Sequence, residues 1–232
     1  MEEIETYKQE VEKNPDDAEA HYNLGVAYYD SGKYQEAIEA CKQVIRLDPD
    51  DAKVHYNLGV AYYDSGKYKE VIESFKQSIK IDPDLAEAHN NLAVAYGKSG
   101  KYQEEIESYK QAIRIDPDLA EAHYHLGLAY GESGMYQEAI ESYKQAIRID
   151  PDYVKAHCNL GIAYGKSGKY KEAIDAFKQA IRINTDYAEA HFNLGVAYHY
   201  SNDRNSALEQ YEILKNLDPY LANLLFVEIY SE

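Results

Sequence analysis

Along residues 18–51, small and apolar residues recur at helical spacing, with Leu24, Ala27 and Tyr28 on one stripe. Ser31-Gly32-Lys33 interrupts, and a second stripe runs through Tyr34, Ala37, Ile38, Cys41 and Ile45 until Asp48-Pro49-Asp50 closes it. The pattern predicts helix, tight turn, helix, turn. Gly32 suits a left-handed C-terminal cap, and Pro49 stops the second helix while presetting the next turn. Helices of about 13 residues are marginal alone in water, so the two must pack on each other and on their neighbours.

The same pattern returns every 34 residues, and residues 21–34 and 55–68 are identical, HYNLGVAYYDSGKY. Six repeats follow without an insertion, over 18–51, 52–85, 86–119, 120–153, 154–187 and 188–221. Such a period means stacked helix pairs in place of one closed core. Residues 1–17 read as the second half of a repeat, because Ile4, Tyr7, Val11 and Pro15 fall on its apolar and proline positions. Glu10 and Lys13, polar where other repeats are apolar, suit a capping helix; a truncated repeat is the alternative. Residues 222–232 are expected to form a C-terminal capping helix. Leu221, Leu224, Leu225, Phe226, Val227, Ile229 and Tyr230 nevertheless cover more of its circumference than one stripe requires. Part of it is therefore expected to meet another chain or a missing segment, with a merely apolar cap as the alternative.

Leu stands at the seventh position of every repeat, from Leu24 to Leu194, and Tyr at the eleventh, from Tyr28 to Tyr198. Gly holds the eighth position in five repeats, Ala the twentieth in four and Pro the thirty-second in five. This signature resembles the tetratricopeptide repeat over nearly the whole chain. The resemblance implies an all-α fold, a right-handed α-solenoid of stacked antiparallel helix pairs forming a single domain over 1–232. In that family the eighth and twentieth positions are small and face each other. The third repeat carries Ala93 and Glu105 there, so its helices are expected to stand furthest apart.

Lys plus Arg number 24 against 41 Asp plus Glu, a formal charge of −17, which disfavours nucleic acid and anionic lipid as partners. No apolar run approaches the ~20 residues of a membrane span, and the acidic N-terminus does not resemble a signal peptide. A soluble cytoplasmic chain is expected. Two cysteines, Cys41 and Cys158, fit a reducing compartment and offer no zinc spacing.

Histidine is the fourth residue of every repeat: His21, His55, His89, His123, His157 and His191. Equivalent residues of stacked helices lie ~8–10 Å apart, whereas ligands of one zinc each lie ~2 Å from it. The series is read as half-buried packing spacers, and no metal or other cofactor is expected. Gly-rich phosphate loops, nucleophile elbows and Cys-His pairs are absent from the sequence, so no enzymatic activity is expected.

The resemblance places the second, fifth, sixth, ninth, twelfth and thirteenth positions of each repeat in a concave groove. The sixth position reads Asn23, Asn57, Asn91, His125, Asn159, Asn193. An Asn amide donates and accepts, so it can pair with both backbone groups of an extended peptide residue. A spacing of ~8–10 Å against ~3.3 Å per residue gives one rung about every third residue. The ladder is similar to that of O-linked N-acetylglucosamine transferase, which holds extended polypeptide; the alternative is that Asn is simply common there in the family. The ninth position is aliphatic (Val26, Val60, Val94, Leu128, Ile162, Val196). The fifth and twelfth are aromatic in the first two repeats (Tyr22, Tyr29, Tyr56, Tyr63) and open later, with Asn90, Gly97, Gly131, Cys158 and Gly165. A Tyr-lined wall early and a roomier apolar pocket in repeats three to five are expected. The identical segments imply nearly the same groove surface in repeats one and two. Glu19 and Asp30 against Lys155 and Lys166, with Lys53 and Lys98 between, would orient a peptide with its acidic end near the fifth repeat. No repeat has the Lys at position five and Asn at position nine of the family's chaperone-tail clamp. The expected function is a protein–protein interaction scaffold that binds an extended segment in this groove. The alternative is a self-assembly module that forms homo-oligomers through its incomplete terminal helices, residues 221–232 included.

Overall fold

The computed structural model describes residues 2–230, apart from the side chain of Tyr68. These residues form fourteen α-helices, with no strand among them. The chain gathers into two compact halves, residues 1–117 and 118–232. The first holds α1 (Glu2–Lys13) and three helix pairs: α2 (Ala18–Asp30) with α3 (Tyr34–Leu47), α4 (Ala52–Asp64) with α5 (Tyr68–Ile81), and α6 (Ala86–Lys98) with α7 (Tyr102–Ile115). The second holds α8 (Ala120–Glu132) with α9 (Tyr136–Ile149), α10 (Val154–Lys166) with α11 (Tyr170–Ile183), and α12 (Ala188–Tyr200) with α13 (Arg204–Leu217), and closes on α14 (Pro219–Tyr230).

The turn inside each pair follows from one backbone position. Gly32 has φ 71°, and the N–H groups of Gly32 and Lys33 donate to the carbonyls of Tyr29 and Tyr28 at 2.8 and 2.9 Å. These paired bonds satisfy the last carbonyls of α2 in a Schellman cap. In the sixth repeat Asn202 takes this position at φ 62°, the side chain that best tolerates the left-handed region after glycine. Between repeats, the Asp48 carboxylate accepts from the Asp50 N–H at 3.3 Å, and Asn184 does the same for Asp186 at 3.1 Å. The turn needs an Asx oxygen at that position, which Asn supplies as well as Asp. Asp17 and Asp51 cap α2 and α4 with their side chains, whereas Leu85, Leu119, Tyr153 and Tyr187 hold that position in later repeats and make no side-chain cap.

In repeats two, four and five the aromatic at position twenty-four lies against the glycine at position eight. A Cβ added to Gly59, Gly127 or Gly161 would stand 2.7, 2.6 or 2.6 Å from the ring of Phe75, Tyr143 or Phe177. Glycine is required there because the ring occupies the side-chain space. In the third repeat Ala93 is fully buried, and the Glu105 carboxylate lies over Gly97, with Oε1 2.6 Å from where a Cβ would be. Gly97 thus makes room for the larger residue at position twenty.

The last helix departs from the repeat register. Asp218 caps it, accepting from the N–H groups of Tyr220 and Leu221 at 2.9 and 3.1 Å, so α14 starts at Pro219, three residues before the expected boundary at 222. Proline is favoured at the first helical position, where its missing N–H is not needed. Ala222, Leu225 and Ile229 are buried against Ala207 and Leu214. Leu225 enters the slot over Gly195, its Cδ2 2.5 Å from the position of an added Cβ. Tyr220, Leu224, Phe226, Val227 and Tyr230 stay exposed. Ser231 and Glu232, part of the expected cap, lie outside the described residues.

Candidate binding face of the first helices

In the N-terminal half, first-helix residues 34 positions apart converge. Tyr22, Val26 and Tyr29 from α2 and Tyr56, Asn57 and Val60 from α4 line a cavity of about 300 Å³, with Ala37 and Cys41 of α3 also in its wall. Val26 is 39% exposed, so the cavity reaches the surface. A second cavity, about 160 Å³, is lined by Val60, Tyr63, Phe75, Asn91 and Val94. In the C-terminal half, Leu128, Asn159, Ile162 and Lys166 join Gly131, Glu132, Tyr136 and Tyr143 around about 220 Å³. Of the expected site residues, Asn23, Lys98, His125, Lys155 and Asn193 line none of these three.

The order of sizes differs from the expectation of tighter early and roomier later pockets. Gly165 does stand in open space, and an added Cβ on Gly131 would meet only the Tyr143 hydroxyl, at 3.9 Å. What decides the volume is the ring at position twenty-four, which helix periodicity alone does not place in the groove wall. Tyr143 and Phe75 project into their cavities; Cys41 leaves its own unfilled.

The asparagines are already engaged. The Asn57 amide donates to the Tyr22 hydroxyl at 3.3 Å, Asn91 to Tyr56 at 2.9 Å, and Asn159 to Tyr124 at 3.0 Å. Each rung joins position six of one repeat to position five of the repeat before. Asn193, which follows Cys158 in that pairing, donates to the Glu189 carbonyl at 2.8 Å and also bonds the Cys158 thiol. The ladder therefore ties neighbouring first helices together; Asn57 and Asn159 each retain one N–H and the oxygen for another partner, while the Asn91 oxygen also accepts from the Asn90 amide at 3.4 Å. The Tyr29 hydroxyl donates to the Asp64 carboxylate, which holds its pKa well above the usual range.

The histidines turn out to be clasps as well as spacers. The ring Nε2–H of His21, His55, His89 and His157 donates to the carbonyl of Pro15, Pro49, Pro83 and Pro151 at 2.9, 3.0, 3.1 and 3.0 Å. His191 uses the Thr185 carbonyl at 2.9 Å, and its Nδ1 lies 2.8 Å from the Gln210 amide. The bond needs only a main-chain oxygen, so Thr can replace Pro there. Among the described residues no three His, Cys, Asp or Glu side chains gather as a metal site would need. Burial pushes the Cys41 thiol up to about 11 and Cys158 up to about 12, which leaves both protonated and unreactive at neutral pH.

The family model for the TPR repeat matches residues 4–32, 27–66, 61–100, 98–134, 132–168 and 165–202. The chain belongs to the tetratricopeptide repeat family. Its fold is accordingly an all-α stack of TPR helix pairs. Among solved structures, MamA is 31% identical, with 74% of this chain and 94% of that chain covered and a TM-score of 0.69. YrrB, described as a TPR protein with an unusual peptide-binding site, is 21% identical over 81% of this chain and 96% of its own, at a TM-score of 0.70. PilF of Pseudomonas aeruginosa, at 19% identity, covers 91% of this chain and 97% of its own with a TM-score of 0.74. The last two likenesses are of fold alone. No curated protein matches the chain. Among the described residues no TPR helix is long and apolar enough to cross a membrane.

Proposed function

We propose that this TPR chain is a non-enzymatic protein-binding scaffold that takes an extended segment of a partner along its first helices. The observation that carries the reading is the convergence of Tyr22, Val26, Tyr29, Tyr56, Asn57 and Val60 on one surface cavity of about 300 Å³. Val60 also lines the neighbouring cavity, so a segment lying across α2, α4 and α6 would contact it from both sides. Apolar walls supply affinity, and the remaining amide groups of Asn57 and Asn91 supply bonds indifferent to the segment's side chains. Lys166, at the edge of the cavity in the C-terminal half, would favour an acidic residue there.

Selection of random twelve-residue peptides by display on the wild-type chain tests this directly. Enriched peptides should bind the Val60→Arg variant at least about tenfold more weakly, a loss of ~1.4 kcal/mol. Helical content should be unchanged, since the arginine stem can lie along the half-buried position. Failure to enrich any peptide, or indifference to Val60→Arg, would sink the reading. Replacing Asn57, Asn91 and Asn159 together is a poorer test, because it also removes rungs worth ~0.5–1.5 kcal/mol each.

A second reading, self-assembly through the terminal helices, is favoured by the exposed side of α14. Tyr220 is 71% exposed and Val227 61% exposed, more than a cap facing water requires. Light scattering should then show an apparent mass that rises with concentration and reverts on Leu224→Glu with Phe226→Glu. A concentration-independent monomer would refute it.

A further inference from the structure

We propose that the first repeat holds an anchoring pocket for one aromatic side chain of a partner segment, seated where repeats two, four and five keep a ring of their own, with a Lys or Arg of that segment beside it. The inference rests on the reading of the first helices as a segment-binding face, and it names the residue the segment must bring.

Position twenty-four is Phe75, Tyr109, Tyr143, Phe177 and Tyr211 in repeats two to six, and Cys41 in the first. Residues 21–34 and 55–68 are identical, so the helix α2 that forms one wall is the same sequence as α4 in the next repeat from His21 onward. What differs is the side chain from the second helix. A Cβ on Gly59 would meet three Phe75 ring atoms at 2.7 to 3.0 Å; on Gly25 it would meet the Ala40 Cβ at 3.3 Å and the Cys41 sulfur at 3.8 Å. The cavity above Gly25 measures about 300 Å³ and the one beside Phe75 about 160 Å³. Repeats two, four and five show what that space accommodates: an aromatic ring packed against a bare glycine.

The pocket's chemistry suits an aromatic guest. Its walls are Val26, Val60, Ala37, Ala61, Tyr22, Tyr29 and Tyr56 with Asn57 as the one side-chain amide, and no charged residue lines it. An aromatic ring gains from tilted contact with other rings, and seating it in a largely apolar cavity takes both its own surface and the cavity's away from water. The opening lies at exposed Val26. Around it the charge is negative: the Asp64 carboxylate accepts from the Tyr29 hydroxyl, and exposed Asp30 follows Tyr29 in α2. A cationic neighbour of the aromatic residue is therefore favoured over an anionic one.

The peptides enriched on the wild-type chain provide the test. They should carry Phe, Tyr or Trp within one or two residues of a Lys or Arg, and changing that aromatic residue to Ala should weaken binding about ten- to a hundredfold. Cys41→Phe should cost a similar factor, and Cys41→Leu less. Thermal unfolding of Cys41→Phe should show no loss of stability, because its ring repeats the packing of Phe75; should it fold poorly, Cys41→Leu carries the comparison. A consensus without an aromatic residue, or equal affinity for the wild type and the filled variants, overturns the pocket. Such peptides still uphold segment binding if Val60→Arg abolishes their binding. An empty selection overturns both.

Discussion

Leu225→Ala is expected to destabilise the C-terminal half by about 2–5 kcal/mol, the range for removing a fully buried leucine whose site cannot collapse. Leu225 is 0% exposed and occupies the slot over Gly195, which in repeats two, four and five is filled by the repeat's own ring. In the sixth repeat the ring at that position, Tyr211, is only half-buried and lies 5.5 Å from Phe226 on α14. The closing helix thus supplies the core residue that its neighbour does not. Leu224→Ala on the same helix makes the control, since Leu224 is 41% exposed and such a change typically stays within about 0.5 kcal/mol. Urea unfolding of both variants separates the two cases. Equal losses would trace to the helix rather than to the slot, and a loss below ~1 kcal/mol at Leu225 would show that α14 does not seat there.

That helix also marks where sequence reading stops. The helix pairs, their turns and the left-handed Gly32 were legible because each depends on residues close in the chain and recurs six times. The early start of α14 depends on Asp218 capping the N–H groups of Tyr220 and Leu221 behind Pro219, a local choice between two registers that the repeat pattern itself argued against. The Tyr22–Asn57 and Tyr56–Asn91 rungs join residues 35 apart, so they depend on how far one first helix is offset from the next. Helical periodicity shows which side of α4 carries Asn57, but not that a hydroxyl lies within reach of it. The histidine clasps were hidden for a related reason. Position four was read as a series of half-buried packing spacers, but the carbonyl it holds belongs to a turn whose path back over the helix no side-chain pattern encodes.

The unfilled space at Cys41 was visible as a single letter, yet its consequence needed the geometry, and one comparison isolates it. Gly25 and Gly59 occupy equivalent positions within identical fourteen-residue segments. Replacing glycine by alanine inside a helix gains roughly 0.5–1 kcal/mol when the methyl has room. At Gly59 it has none: the Phe75 ring is 2.7 Å away and only 1% exposed, so it cannot swing aside, and overpacking costs typically 1–3 kcal/mol. At Gly25 the nearest atom is 3.3 Å away and the thiol 3.8 Å, a tight contact that offsets the gain without reversing it strongly. Gly59→Ala should therefore lower stability by ~1–2 kcal/mol, while Gly25→Ala stays within about 1 kcal/mol of wild type. Cys41→Phe should make Gly25→Ala as costly as Gly59→Ala, giving Gly25→Ala and Cys41→Phe a coupling energy of ~0.5–3 kcal/mol in a double-mutant cycle. Equal costs at the two glycines, or additive behaviour with Cys41→Phe, would mean that the first repeat closes over its missing ring and keeps no space to offer.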